Sequence, residues 1–210
     1  MDVKVWSNVQ VAVQTLLGTA KTITGITKAN PAVISSTAHG FLDDDIVLLL
    51  VKGMRQLNWA VVRVANKTDN DFEADGIDST LFRTFVSGTA QKITFGAEAE
   101  TLQNFTPSGG EASGIPVDVI HTDDTFEVPG RRSPLVIAST SIWDPRDPAL
   151  IAMNGFDMTK TPGCVLMTFP DGDQFAYAAF MSAPLHPGGD QLVSTPITHR
   201  VRGRISIFEA

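Results

Sequence analysis

CVLMTFPDGDQFAYAAFMSAPLHPGGDQLVSTPITHRVRGRISI, residues 164–207, decides the fold class. Two apolar runs flank Pro170-Asp171-Gly172-Asp173, a set of residues that pre-shapes a tight turn, so a hairpin is expected over 164–169 and 174–181. After the loop 183–189 comes one long strand. In it Thr195, Ile197, His199, Val201, Gly203, Ile205 and Ile207 alternate with Thr198, Arg200, Arg202, Arg204 and Ser206. A period of two is what a half-buried strand requires. It places Arg200, Arg202 and Arg204 on one face, roughly 7 Å apart. Such a row either keeps an edge from pairing with foreign strands or meets the acids of a neighbouring subunit, for instance Glu98, Glu100, Asp123 and Asp124.

The same logic extends towards the N-terminus. Residues 135–142 read as a strand. Asp147 can cap a helix that begins with Pro148 and is expected to end about two turns later, at Gly155. Strands are expected over 93–102, 117–120 and 124–128. The stretch TPSGGEASGIP, residues 106–116, reads as a loop too polar and glycine-rich to bury much alone. At the start of the chain, Val3, Val5, Val9, Val11 and Val13 alternate with Lys4, Asn8, Gln10 and Gln14 over residues 3–15. The polar side of that strand carries amides more than charges.

Residues 22–92 have a different rhythm. Short strands over 23–28, 32–36, 46–51, 59–65 and 71–74 are separated by Asn30-Pro31, His39-Gly40, Asp43 to Asp45, residues 67–70 and Asp75-Gly76. One strand per ten residues or so suggests a small barrel or sandwich, and about 70 residues suffice for a domain of that kind.

Composition narrows the function classes. The chain has 210 residues, of which 43% are hydrophobic and 19% charged, with a net charge of −7. A negative chain is a poor gripper of DNA, though it can form a wall that DNA slides past. Residues 22–92 hold seven Lys/Arg and eight Asp/Glu, and the rest nine and fifteen, so most of the excess lies outside that segment. His39, His121, His186 and His199 are scattered without ligand spacing, so no metal is expected. His39 reads as a turn residue, and Asp43 to Asp45 as a solvated turn rather than a calcium loop. No nucleophile lies beside a base and no phosphate loop precedes a helix, so neither catalysis nor a cofactor is expected. Cys164, the single cysteine, reads as a small buried hydrophobe. The N-terminus lacks the pattern of a secretion signal and no apolar run spans a bilayer, so assembly in a reducing cytoplasm, away from membranes, is expected.

The order of elements in the C-terminal half carries a resemblance. The short helix DPALIAMNGF is followed by a strand ending in Phe169-Pro170-Asp171-Gly172, a return strand with Phe180 ending at Ser182, a loop, and the strand VSTPITHRVRGRISI. This resembles the major tail tube proteins of long, non-contractile-tailed bacteriophages, over residues 1–21 and 93–210. Residues 22–92, through ITGITKANPAVISSTAHGFLDDDIV and GMRQLNWAVVRVANKTDNDFEADGIDST, are similar to a small β-barrel of phage virion proteins. That barrel is named after the first catalytic-cysteine half of ubiquitin-activating enzymes.

The resemblance implies a mainly β fold: a tail-tube-type sandwich or barrel with one short helix, carrying 22–92 as an inserted barrel on the tube exterior. It implies a structural virion protein of the tail that forms hexameric rings, stacked head-to-tail into the conduit for DNA ejection. Expected partners are further copies of the chain and the tape measure, terminator and baseplate proteins, with DNA only in transit. Candidate inter-subunit contacts are Arg200, Arg202, Arg204, Gly109, Gly110 and Glu111. Candidate lumen residues are Asn8, Gln10, Gln14 and Asp173. A tail terminator, baseplate or distal-tail subunit shares these expectations except for self-extension. A carbohydrate-binding module would use Trp59, Trp143 or Tyr177 as stacking platforms.

Overall fold

The computed structural model describes residues 6–121, 123–189 and 191–210. The protein is mainly β, as the alternation predicts. In chain order the strands are β1 (Gln10–Leu17), β2 (Lys21–Ile23), β3 (Gly25–Ile26), β4 (Ala32–Ser35), β5 (Ile46–Lys52), β6 (Ala60–Ala65), β7 (Asp71–Ala74) and β8 (Ser87–Glu98). They continue as β9 (Thr106–Ser108), β10 (Ala112–Val117), β11 (Phe126–Arg132), β12 (Val136–Ile142), β13 (Gly163–Thr168), β14 (Gln174–Ser182) and β15 (Ser194–Phe208). The helix α1 spans Pro148–Thr159. Thirteen strands form one sheet in the order β3-β4-β7-β6-β5-β8-β1-β13-β14-β15-β12-β9, with β2 also on β8. Strands β10 and β11 pair only with each other.

Strand β8 joins the two halves of this sheet. Its residues 87–92 pair with β5, and residues 93–98 pair with β1. The junction expected at residue 92 therefore falls inside one continuous strand rather than at a linker. The cores follow the same plan. One cluster, drawn wholly from residues 23–90, surrounds Ile34, Leu49, Val62 and Phe72. A second gathers Val13, Leu150, Met153, Val165, Tyr177 and Ile197 beneath α1. A third joins Ile46, Leu48 and Val61 to Cys164, Ala176, Ala178 and Phe208.

Strand pleating explains how one strand serves two cores, because successive side chains point to opposite faces. In β5, Val47, Leu49 and Val51 enter the first cluster while Ile46 and Leu48 enter the third. In β14, Tyr177, Ala179 and Met181 enter the second while Ala176 and Ala178 enter the third. This is why both strands read as continuous apolar runs.

Three local expectations differ from the structure. The helix runs through Gly155 to Thr159, and Lys160 closes it at φ 54°. Leu150 and Met153 are buried and Phe156 packs beside them, and that burial outweighs the roughly 1 kcal/mol that an interior glycine costs. The Asp147 carboxylate caps the start, accepting from Ala149 N at 2.8 Å and Leu150 N at 3.1 Å. At the other end of the chain, β1 begins at Gln10, because Asn8 turns at φ 57°. The expected positions Val3, Lys4 and Val5 lie outside the described residues. Finally, residues 106–116 are not one loop: they hold β9, paired with β12, and most of β10, which ends at Val117, so the strand expected over 117–120 lies earlier in the chain.

Candidate assembly surfaces

The β10–β11 hairpin is the most unusual surface. Ile115 lies opposite Val128, and Val117 opposite Phe126, so these four side chains share a face. Ile115 and Phe126 are each 53% exposed and Val128 44%. No residue of either strand joins a core cluster. A lone two-stranded hairpin is marginal in water, and an exposed apolar face on one makes it a candidate contact surface. Short alternations, Ile115 with Val117 and Phe126 with Val128, carried this signal in the sequence. Glycine and proline in TPSGGEASGIP masked it.

The hairpin root explains two candidate residues. Gly109 and Gly110 adopt φ of 81° and 84°, which side chains resist. A Cβ on Gly109 would also lie 2.3 Å from the Pro134 carbonyl oxygen. Glu111 is exposed beside them, its backbone carbonyl accepting from Ser133 N at 2.8 Å.

The three arginines of β15 do not form one even row. Between Ala178 and Ala176 β14 advances two residues while β15 advances four, from Arg202 to Ser206. Gly203, at φ 83°, bends β15 there and approaches so near the Asn58 and Trp59 carbonyls that a Cβ would clash. Arg202 is occupied within the subunit, its guanidinium 4.2 Å from the Trp59 ring centroid and 5.3 Å from that of Phe180. Arg200 is exposed opposite Phe180. Arg204 sits in the bulge and faces a cleft of about 870 Å³ with Arg55 and Arg132.

The polar positions expected along a channel also separate. Asn8 and Gln10 are exposed, and Asn8 lines a cleft of about 490 Å³ with Trp6 and Phe105. Gln14 is 5% exposed, and its Oε1 accepts from Cys164 N at 3.1 Å. The register of β1 on β8 slips on both sides of Gln14, which turns Val13 and Gln14 inward together. A buried amide satisfied inside the subunit offers nothing to a channel, so Gln14 leaves that set. Asp173 is half-buried in the β13–β14 turn and accepts from Ala210 N at 3.1 Å.

Inside the second core, Tyr177 Oη and His199 Nδ1 lie 2.7 Å apart, and both residues are wholly buried. Burial pulls the His199 imidazole down from 6.5 to about 4 and pushes the Tyr177 phenol well up, so both stay neutral near pH 7. Cys164 is buried too, and desolvation pushes its thiol up to about 12. Such a thiol is inert rather than nucleophilic.

The remaining polar and aromatic candidates serve the fold. His39 is buried against Phe41 and Phe72, its Nδ1 accepting from Phe41 N at 3.0 Å. Asp43 and Asp45 accept from the backbone of Lys67 and Leu42, and Asp45 pairs with Lys92. Tyr177 is out of reach of any sugar, Trp59 lies under Arg202, and Trp143 Nε1 donates to the Leu185 carbonyl at 3.0 Å. Among the described residues no cluster of His, Cys, Asp or Glu is arranged to hold a metal, and no helix is long and apolar enough to cross a membrane.

The model of a family described as phage tail tube protein, TTP, matches residues 52–209. The match starts within the expected insert and runs through residue 92, so a separate barrel of the ubiquitin-activating type over 22–92 finds no support in it. No curated protein matches the chain.

Proposed function

We propose, since the chain belongs to the phage tail tube protein family, that its copies close into hexameric rings that stack head-to-tail into the tail shaft, the conduit through which DNA leaves the virion. The observation that supports this is the β10–β11 hairpin, whose apolar face stays about half exposed at Ile115, Phe126 and Val128. Strand β9, which ends the sheet, adds an edge without a partner among the described residues, and further copies can extend it. Ring closure removes such edges, and a head-to-tail contact between rings propagates into a filament.

In this reading Arg200, Gly109, Gly110 and Glu111 lie at contacts between copies. Asn8, Gln10 and Asp173 are the remaining lumen candidates. A negative, amide-bearing wall gives phosphates nothing to grip. Residues 22–92 form an outer lobe, since a lobe of that size inside would close the channel. Tape measure, terminator and baseplate proteins meet the tube along its lumen and at its ends. Assembly takes place in the host cytoplasm.

Negative-stain microscopy of the purified protein tests the proposal. Long hollow tubes with six-fold end views are expected. Monomers at high concentration would contradict the proposal, and single closed rings that never extend would favour a terminator or baseplate subunit.

A further inference from the structure

We infer that the arginine-lined cleft at the root of the β10–β11 hairpin is the socket for the acidic tip of the same hairpin on a second copy. The inference rests on the tube reading above and assigns one of its contacts. The hairpin is electrically polarised along its length. Asp118, Asp123 and Asp124 sit at the tip, and Arg131 and Arg132 at the root. The cleft gathers Arg55, Arg132 and Arg204 from three separate stretches of chain around a volume of about 870 Å³. All three residues are exposed, on a protein of net charge −7, and none makes an ion pair among the described residues.

Shape and polarity agree with charge. Beside its arginines the cleft is lined by the apolar residues Leu135, Val201 and Ile205. The tip carries Ile120 among its acids, and that side chain is fully exposed, at 104%. An isoleucine flanked by carboxylates fits an apolar floor ringed by arginines. A copy cannot fill its own socket, because six residues of extended β10 hold the tip roughly 20 Å from the root. Plug and socket on different parts of one chain make a heterologous contact, which propagates from copy to copy.

Charge reversal tests this. One variant carries Asp118→Lys and Asp123→Lys, the other Arg55→Glu, Arg132→Glu and Arg204→Glu. Each alone faces like charge across the contact. Each is expected to yield less than about a tenth of the tube mass that wild-type protein pellets. An equal mixture is expected to recover assembly, because each variant's tip then meets the other's socket. Wild-type tubes alongside variants that assemble normally by themselves, or a mixture no better than its parts, would overturn the socket while leaving the tube standing. A mixture that associates although wild-type protein makes no tubes would support the socket and contradict the tube. If neither associates, both fall.

A milder substitution guards against misfolding. Arg204→Gln, at an exposed site, is expected to raise the concentration needed for assembly several-fold, and more at low salt than at high. An unchanged threshold at both salts would overturn the inference, as would preferential retention of short duplex DNA by the cleft over the second copy.

Discussion

Residues 46–65 and residues 112–132 both contain antiparallel strand pairs, and they differ in where their apolar side chains go. Strands β5 and β6 lie within the sheet, and their alternating residues supply two cores at once. Strands β10 and β11, among the described residues, pair only with each other and leave Ile115, Phe126 and Val128 about half exposed. The first pair is complete in one copy. The second, in the reading proposed above, is completed by another copy. An assembling subunit needs both: a body that folds before meeting its neighbours, and a segment whose burial is deferred until it does.

The largest expected effect separates the two. Replacing residues 113–131 by a short Gly/Ser linker should abolish tubes in electron micrographs. It should move the thermal midpoint of the subunit by no more than about 2 °C, since no core side chain is removed. A large fall in that midpoint would show that the hairpin belongs to the body.

Phe72→Ala probes the opposite case. Phe72 is wholly buried in the first core, in edge contact with His39 and Phe41. Its truncation should cost roughly 3–5 kcal/mol in denaturant unfolding of the subunit. A cost below about 1 kcal/mol would mean that this core is not the closed unit described.

The third test uses pH. His199 in the folded subunit has a value of about 4 against an ordinary 6.5, so between these the unfolded chain binds more protons. Stability from this group is present above 6.5 and is lost as pH falls towards 4, a change on the order of 3 kcal/mol. His199→Gln, which keeps a hydrogen-bonding group for the Tyr177 hydroxyl but does not titrate, should flatten that part of the curve. Equal pH dependence in the two proteins would contradict a buried neutral imidazole.

The smallest effect concerns α1. Nothing lies within 4 Å of a Cβ on Gly155, so Gly155→Ala should stabilise the subunit by about 0.5–1 kcal/mol. If the same change impaired tube formation, the helix face would join the hairpin as a surface reserved for a neighbour.

Much of the body was legible in the sequence, because pleat and turn chemistry act locally. The Pro170-Asp171-Gly172 hairpin, the alternation of β15 as far as Val201 and the Asp147–Pro148 start of α1 appear where residue patterns place them, while beyond Gly203 the alternation inverts, with Ser206 and Phe208 buried and Ile207 exposed. What escaped depends on contacts distant in sequence. The end of α1 is set by burial of Met153 and Phe156, not by Gly155. The inward turn of Gln14 needs a register slip against β8, and the break in the arginine row needs the bulge at Gly203 against Trp59. The continuity of β8 through residue 92 was hidden because Ser87 to Lys92 and Ile93 to Glu98 pair with different partners. The assembly surface was half legible. Its arginines stood out as charges, while the apolar face of the hairpin was obscured by the glycines and proline that shape its root.

Hydrogen exchange at the backbone amides of residues 112–132, compared between dissociated subunits and assembled tubes, goes to the centre of this account. Fast exchange in the free subunit and slowing by at least about a hundredfold in the tube is the predicted result. Equal protection in both states would mean that the hairpin is already satisfied within one copy, and the account would be wrong.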